Sequence, residues 1–334
     1  MTLPRYLPMT LPLSDPELAE LARRVADAPD PAVRRLALLD LAEAEEPAAL
    51  PWLRQALHDA DARVRREAAT VLSGWEDAGV ATALCQALAD PDPGVRDAAA
   101  ASLGELRDPA LGPVVLPHLG HGDAFVRAGA LRALRELRWP PSAAPALAAL
   151  DDADPRVRRE AVGVLAGLRH GAALERLAQL LRSDPAAEVR RAAGGALGAA
   201  GSAPERAQAA SALVAALHDA DWGVREEAAT VLGKLHDPAT VPALVAALDD
   251  AYWQVRQRAA RSLGRLGQEE AVAPQLAALR HPVSNLRKEA AIALGEIGHA
   301  SAHAALQAAT SDPDPDVRKS AGLALARLRP SPAA

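Results

Sequence analysis

A Val-Arg pair recurs along this chain of 334 residues, with its arginine at 34, 65, 96, 127, 158, 190, 225, 256, 287 and 318. Every step is 31 residues except two in the middle, of 32 and 35. The residue before the arginine is Val nine times and Leu286 once. Ala stands three residues after each arginine, from Ala37 to Ala321, and Leu seven after, from Leu41 to Leu325. A register held this strictly means an array of like units stacked on one another, each too small to bury its own core.

The unit is helical. Offsets −1, +3, +7 and +10 from the arginine lie on one face of an α-helix, with Ala at +3 suited to close helix approach and Leu at +7 to the core. Asp stands four residues before the arginine in seven repeats (Asp30, Asp61, Asp92, Asp123, Asp154, Asp221 and Asp314), followed at once by Pro in four of them. An Asp N-cap with Pro at the first helical position is a strong helix start. Repeats 6, 8 and 9 carry Ala186, Tyr252 and Val283 instead. Segments such as 238–248 and 269–279 supply a partner helix of about eleven residues. Composition agrees: half the residues are apolar, mostly Ala, Leu and Val, with one Phe, two Tyr and five Trp, which favours helix over strand. The expected fold is all-α, a right-handed α-solenoid of ten helix pairs over 15–329, flanked by tails at 1–14 and 330–334. An insertion near 183–188 and a longer linker at 201–205 interrupt the register in repeat 6. Residues 57–72 and 217–232 are nearly identical, the mark of a block duplication.

The pattern D-P-x-V-R-x-x-A-A-x-x-L-G-x-L, clearest at 89–106 and 310–328, resembles the HEAT-like repeats, and most closely the short 31-residue bacterial form found in phycobilin lyase subunits. The resemblance covers about 15–329. It implies a solenoid and a ladder of Asp and Arg between neighbouring repeats, which would place Asp61, Asp92 and Arg96 in the structural frame. It leaves function open, because function resides in sites carried on the fold.

Catalytic chemistry finds little footing. HEAT-like di-iron hydroxylases carry His-Glu dipeptides, and this chain has none; the matching places read Arg66-Glu67, Arg159-Glu160, Glu226-Glu227 and Lys288-Glu289. Without imidazole beside carboxylate that iron site cannot form. His118, His121 and Asp123, and His299 with His303, have metal-compatible spacing but too few ligands, and read as solvated histidines. Cys85 lies among Ala and Leu and reads as a small core residue. HEAT-like DNA glycosylases need a cationic groove, whereas this chain has a net charge of −6. No catalytic residue, metal or cofactor is expected. With no membrane-length apolar run and no signal-peptide pattern, the expectation is a monomeric, cytoplasmic, bacterial protein.

A binding role is the remaining expectation. Offsets +1, +2, +5 and +9 vary while the core offsets do not, and they should line the concave surface. Repeat 8 gathers Arg258, Arg261 and Arg265 in one stripe. Tyr252 and Trp253 stand at its start, Trp222 one repeat earlier, and Lys234 and Lys288 flank it. Aromatic residues and Arg are enriched at binding hot spots. The expected site is therefore Trp222, Tyr252, Trp253, Arg258, Arg261, Arg265 and Lys288, binding an acidic or phosphorylated protein segment. The plainer alternative is that the Trp residues close helix junctions and the arginines form a solvated face. A subunit of a bilin-lyase-like complex and a nucleic-acid binder are the competing functions.

Overall fold

The computed structural model describes residues 15–328; the tails expected at 1–14 and 330–334 lie outside them. Contacts divide the chain into two units, one ending at Leu168 and the other beginning at Arg169. Among the described residues there are twenty α-helices and no strand, an α-solenoid as the register requires.

The first unit pairs α1 (Pro16–Asp27) with α2 (Pro31–Glu43), α3 (Leu50–Gln55) with α4 (Ala62–Val71), and α5 (Ala78–Ala87) with α6 (Pro93–Leu103). Two further pairs follow, α7 (Gly112–Val115) with α8 (Ala124–Leu137) and α9 (Ala143–Ala149) with α10 (Pro155–Gly167). The second unit pairs α11 (Leu174–Ser183) with α12 (Ala187–Leu197), α13 (Ala203–Ala216) with α14 (Trp222–Leu235), and α15 (Val241–Ala246) with α16 (Trp253–Leu266). It ends with α17 (Val272–Ala278) and α18 (Ser284–Ile297), then α19 (His303–Ala309) and α20 (Pro315–Leu328).

Second helices begin as their sequence dictates. The side chains of Asp30, Asp61, Asp92, Asp123, Asp154 and Asp221 each accept a backbone N–H of the first turn. Ala186, Tyr252 and Val283 give no such cap. First helices are mostly shorter than the eleven residues expected. Tight turns take up the remainder, as where 238–240 and 247–249 flank α15 in 3₁₀ geometry. The longer linker after repeat 6 goes into the fourteen-residue α13, opened by a capping box between Ser202 and Glu205.

The core offsets are buried as expected. Val64, Ala68 and Leu72 are fully enclosed, as are Val255, Ala259 and Leu263. Each such Leu or Val contributes about 1.5–3 kcal/mol from burial. Val33 holds the same offset in the first repeat and is 44 % exposed, since no earlier helix pair among the described residues covers it.

Successive second helices of the second unit touch almost backbone to backbone. A Cβ on Gly264 would stand 2.7 Å from Ala293 Cα, and one on Gly295 2.7 Å from Ala324 Cα. Only glycine permits that approach. Ser262 adds a buried bond across a seam, its hydroxyl donating to Ala229 O at 2.7 Å.

Candidate functional site

The repeated arginine builds a ladder, but with a different aspartate from the one expected. Arg65 Nε and Nη2 donate to Asp90 Oδ2 and Oδ1 at 2.7 and 2.9 Å, and its Nη1 to the carbonyls of Asp59 and Ala60. Arg34–Asp59, Arg127–Asp152, Arg190–Asp219, Arg225–Asp250 and Arg287–Asp312 repeat this geometry at 2.6–2.8 Å. The rung carboxylate stands six residues before the next arginine, at the end of the first helix. Asp61 and Asp92 are caps, not rungs, which corrects the ladder assignment. The rung Asp also accepts the N–H two residues on, as Asp59 does from Asp61 at 2.8 Å. A bidentate, charge-assisted pair with its remaining lone pair occupied is well matched for burial. The Arg127 guanidinium holds the Asp152 carboxyl below its ordinary range.

Histidine replaces the rung aspartate at two places, and the consequences differ. His121 Nδ1 accepts the Asp123 N–H at 3.0 Å in the aspartate's stead. Arg96 turns to the cap, with Nη2 2.9 Å from Asp123 Oδ2, and lies 4.3 Å from the centre of the Phe125 ring. His281 Nδ1 likewise accepts the Val283 N–H at 3.1 Å. Here, however, the cap position is Val283, and among the described residues no carboxylate reaches Arg256, whose buried Nε lacks any partner. Burial, then Arg256 and Arg287, push the His281 pKa down and keep the ring neutral.

The residues expected to form a partner site lie together in the second unit, but their charges are largely engaged. Arg258 Nε is 3.0 Å from Glu226 Oε1. Arg261 grips Glu289 through two bonds of 3.0 and 2.9 Å, and Lys288 Nζ is 2.8 Å from Asp316 Oδ2. Glu289 and Glu160, both two residues after the repeated arginine, are buried; Arg132 and Arg135 hold Glu160 in the first unit as Arg261 holds Glu289 in the second. Offsets +1, +2 and +5, expected to face a groove, thus also tie neighbouring second helices together. Arg265 is exposed and lines a hollow of about 400 Å³ with His236, Glu296 and Arg327, floored by glycines of α16 and α18.

The aromatic residues divide. Trp222 stacks on Tyr252 at 5.8 Å and 12°, and the Tyr252 ring lies 5.4 Å from the Arg225 guanidinium, covering the Arg225–Asp250 rung. That is the junction-closing role given as the plainer alternative. Trp253 holds the same place one repeat later and is 42 % exposed; Tyr252 is 46 % exposed.

The family model for HEAT repeats matches residues 16–90, 81–150, 143–215, 210–282 and 272–334. The chain belongs to the HEAT-repeat family. No curated protein matches it in sequence. Among solved structures it is similar to an engineered protein (22 % identity, TM-score 0.52, covering 93 % of this chain and 98 % of that one). It is similar to a chain from the structure of Kap95p with RanGDP (16 %, 0.64, 93 % and 50 %) and to importin beta solved in an ammonium sulfate condition (17 %, 0.63, 92 % and 50 %). The chain spans half the length of these last two, and at such identities the likeness is one of fold.

This HEAT solenoid gathers no group of three or more His, Cys, Asp or Glu fit to hold a metal among its described residues. Cys85 is buried, which pushes its thiol up to about 12 and away from nucleophile chemistry. No helix of the described residues is long and apolar enough to cross a membrane. In the first unit a hollow of about 600 Å³ opens beside α3, walled by Pro51, Trp52, Arg54 and His58, a feature the sequence pattern did not signal.

Proposed function

We propose that this chain is a non-catalytic protein-binding solenoid whose partner contact lies on repeats 7–9, at the edge formed by Tyr252 and Trp253 with Arg258, Arg261, Arg265 and Lys288 behind it. The observation that carries the reading is the exposure of Tyr252 and Trp253, at 46 % and 42 %. Among the described residues, Val33, Leu36 and Leu323 are the other large exposed apolar side chains, and they sit in the first and last repeats. Interior repeats bury their apolar groups, so two adjacent exposed rings at one edge are a surface held ready for another chain. Trp222 supports that edge from beneath by stacking on Tyr252. Arg258 and Arg261 are held in fixed poses by Glu226 and Glu289, which lowers the ordering cost of using their remaining donors. Cations already engaged by carboxylates make a weak phosphate-binding surface, which disfavours nucleic acid.

The test is affinity capture from a native lysate with wild-type chain and a Tyr252→Ala/Trp253→Ala variant as baits, both checked for unchanged helical content. A protein retained by wild type and lost by the variant is the expected result. Retention of the same protein by both baits would remove the site from this edge. Reversal of Arg261 is a poor probe, because a new carboxylate beside buried Glu289 would unfold the seam.

A further inference from the structure

The ladder reports, within one chain, what its arginine position binds. At Arg225 the next repeat supplies Asp250–Ala251–Tyr252. The carboxylate takes Nε and Nη2 at 2.7 and 3.0 Å, and the ring lies 5.4 Å from the guanidinium. At Arg96 the next repeat supplies Asp123–Ala124–Phe125, with the carboxylate 2.9 Å from Nη2 and the ring at 4.3 Å. The two tripeptides sit at different offsets in their repeats and reach the same arginine position. Both place an aromatic residue two positions after the aspartate.

Arg256 receives neither. The residues at the matching positions of the next repeat are His281, Pro282 and Val283. Its guanidinium is still parked as in the closed rungs, with Nη1 donating to the carbonyls of Asp250 at 2.7 Å and Ala251 at 3.4 Å. Its Nε has no acceptor. His281 cannot provide one: its Nδ1 accepts from Val283, so the neutral ring carries its proton on Nε2 and is itself a donor. Trp253, the counterpart of stacked Trp222, has no ring stacked on it among the described residues and stays exposed.

The same junction carries a second polar fault. Gln275 holds a first-helix position that is Leu53, Leu84, Leu213, Leu244 and Leu306 elsewhere. It is fully buried, with Nε2 bound to Ala260 O at 2.8 Å and Oε1 unpaired. Unpaired buried groups are costly and rare enough to call for a cause.

We infer that the junction between repeats 8 and 9 binds a protein segment bearing a carboxylate two residues before an aromatic ring, the carboxylate closing on Arg256 and the ring stacking on Trp253. The segment supplies in trans what Asp250 and Tyr252 supply in cis one junction earlier. Because Arg256 Nε is covered in the free chain, binding includes displacement of the His281 ring. This assignment deepens the partner site proposed above and rests on it.

The probe is a synthetic nonapeptide with a central Asp-Ala-Tyr, titrated into the full chain beside its Asn-Ala-Tyr and Asp-Ala-Ala counterparts. The parent peptide is expected to bind, and each counterpart to bind about tenfold more weakly or worse. His281→Asp is expected to close the rung from within, raising the melting temperature while abolishing peptide binding. That variant separates occupancy of the site from damage to the fold. Equal affinity for the Asp and Asn peptides, no binding of the parent peptide, or undiminished binding by His281→Asp would each overturn the inference. None of these touches the broader partner edge, which the capture experiment decides separately.

Discussion

The two units are cut from one template and finished differently. In the first, every junction whose partners both lie within it is closed: Arg34, Arg65 and Arg127 hold their aspartates, and Arg96 recovers Asp123 and Phe125 where His121 interrupts the ladder. The second closes Arg190, Arg225 and Arg287 in the same way. It packs its second helices tighter, through Gly233, Gly264 and Gly295, yet leaves Arg256 open. All three buried side-chain atoms without a partner among the described residues (on Gln254, Arg256 and Gln275) lie there within 254–275, immediately after exposed Trp253. A frame that satisfies its polar groups almost everywhere makes this stretch the exception on which the proposed binding site rests.

The largest expected effect tests whether the rungs hold the fold. Arg65→Ala strands Asp90 in a nearly enclosed site and should cost about 3 kcal/mol. Arg256→Ala removes two carbonyl bonds and no ion pair, and should cost about 1 kcal/mol or less. Chemical denaturation of both variants checks the contrast; equal losses would break the distinction between closed and open rungs. Next comes the glycine seam. Gly264→Ala forces a Cβ against Ala293 and should destabilise by about 1–3 kcal/mol. Gly322→Ala, where nothing lies within 4 Å, should stabilise by about 0.5–1 kcal/mol through helix propensity.

The smallest effect is one of pH, and it should be common to both units. Arg127 and Arg287 depress Asp152 and Asp312 through their hydrogen bonds. Their contribution is complete above the unfolded aspartate value, about 3.9, and is lost as pH falls through the folded values. Stability should therefore hold between about pH 5 and 7 and decline below about pH 4. Asp152→Asn should flatten that decline, as read from melting temperatures across the range.

Much of this was legible in the sequence, because the core offsets repeat ten times and the aspartate caps seven, and repetition separates constraint from accident. Val at −1, Ala at +3, Leu at +7 and the capping aspartates fixed helix starts and buried faces. The rung aspartate repeats almost as well, as Asp59, Asp90, Asp152, Asp219, Asp250 and Asp312, but a carboxylate beside a helix end looks like any other solvated turn until its distant arginine is placed. The engagement of Arg258 and Arg261 was harder still. Their glutamates lie in neighbouring repeats at offsets that vary, so no periodic signal links them. The clustering of Trp222, Tyr252 and Trp253 was visible; that one junction uses two rings to cover a rung while the next leaves its ring bare was not.

The account is tested most directly by the dissociation constant of the captured partner for three chains: wild type, Tyr252→Ala/Trp253→Ala, and Trp52→Ala, which alters the first unit's hollow instead. The account predicts at least about a tenfold loss for the double variant, as expected of aromatic hot spots, and no change for Trp52→Ala. Loss of binding with Trp52→Ala and full affinity in the double variant would contradict it and move the partner to the first unit.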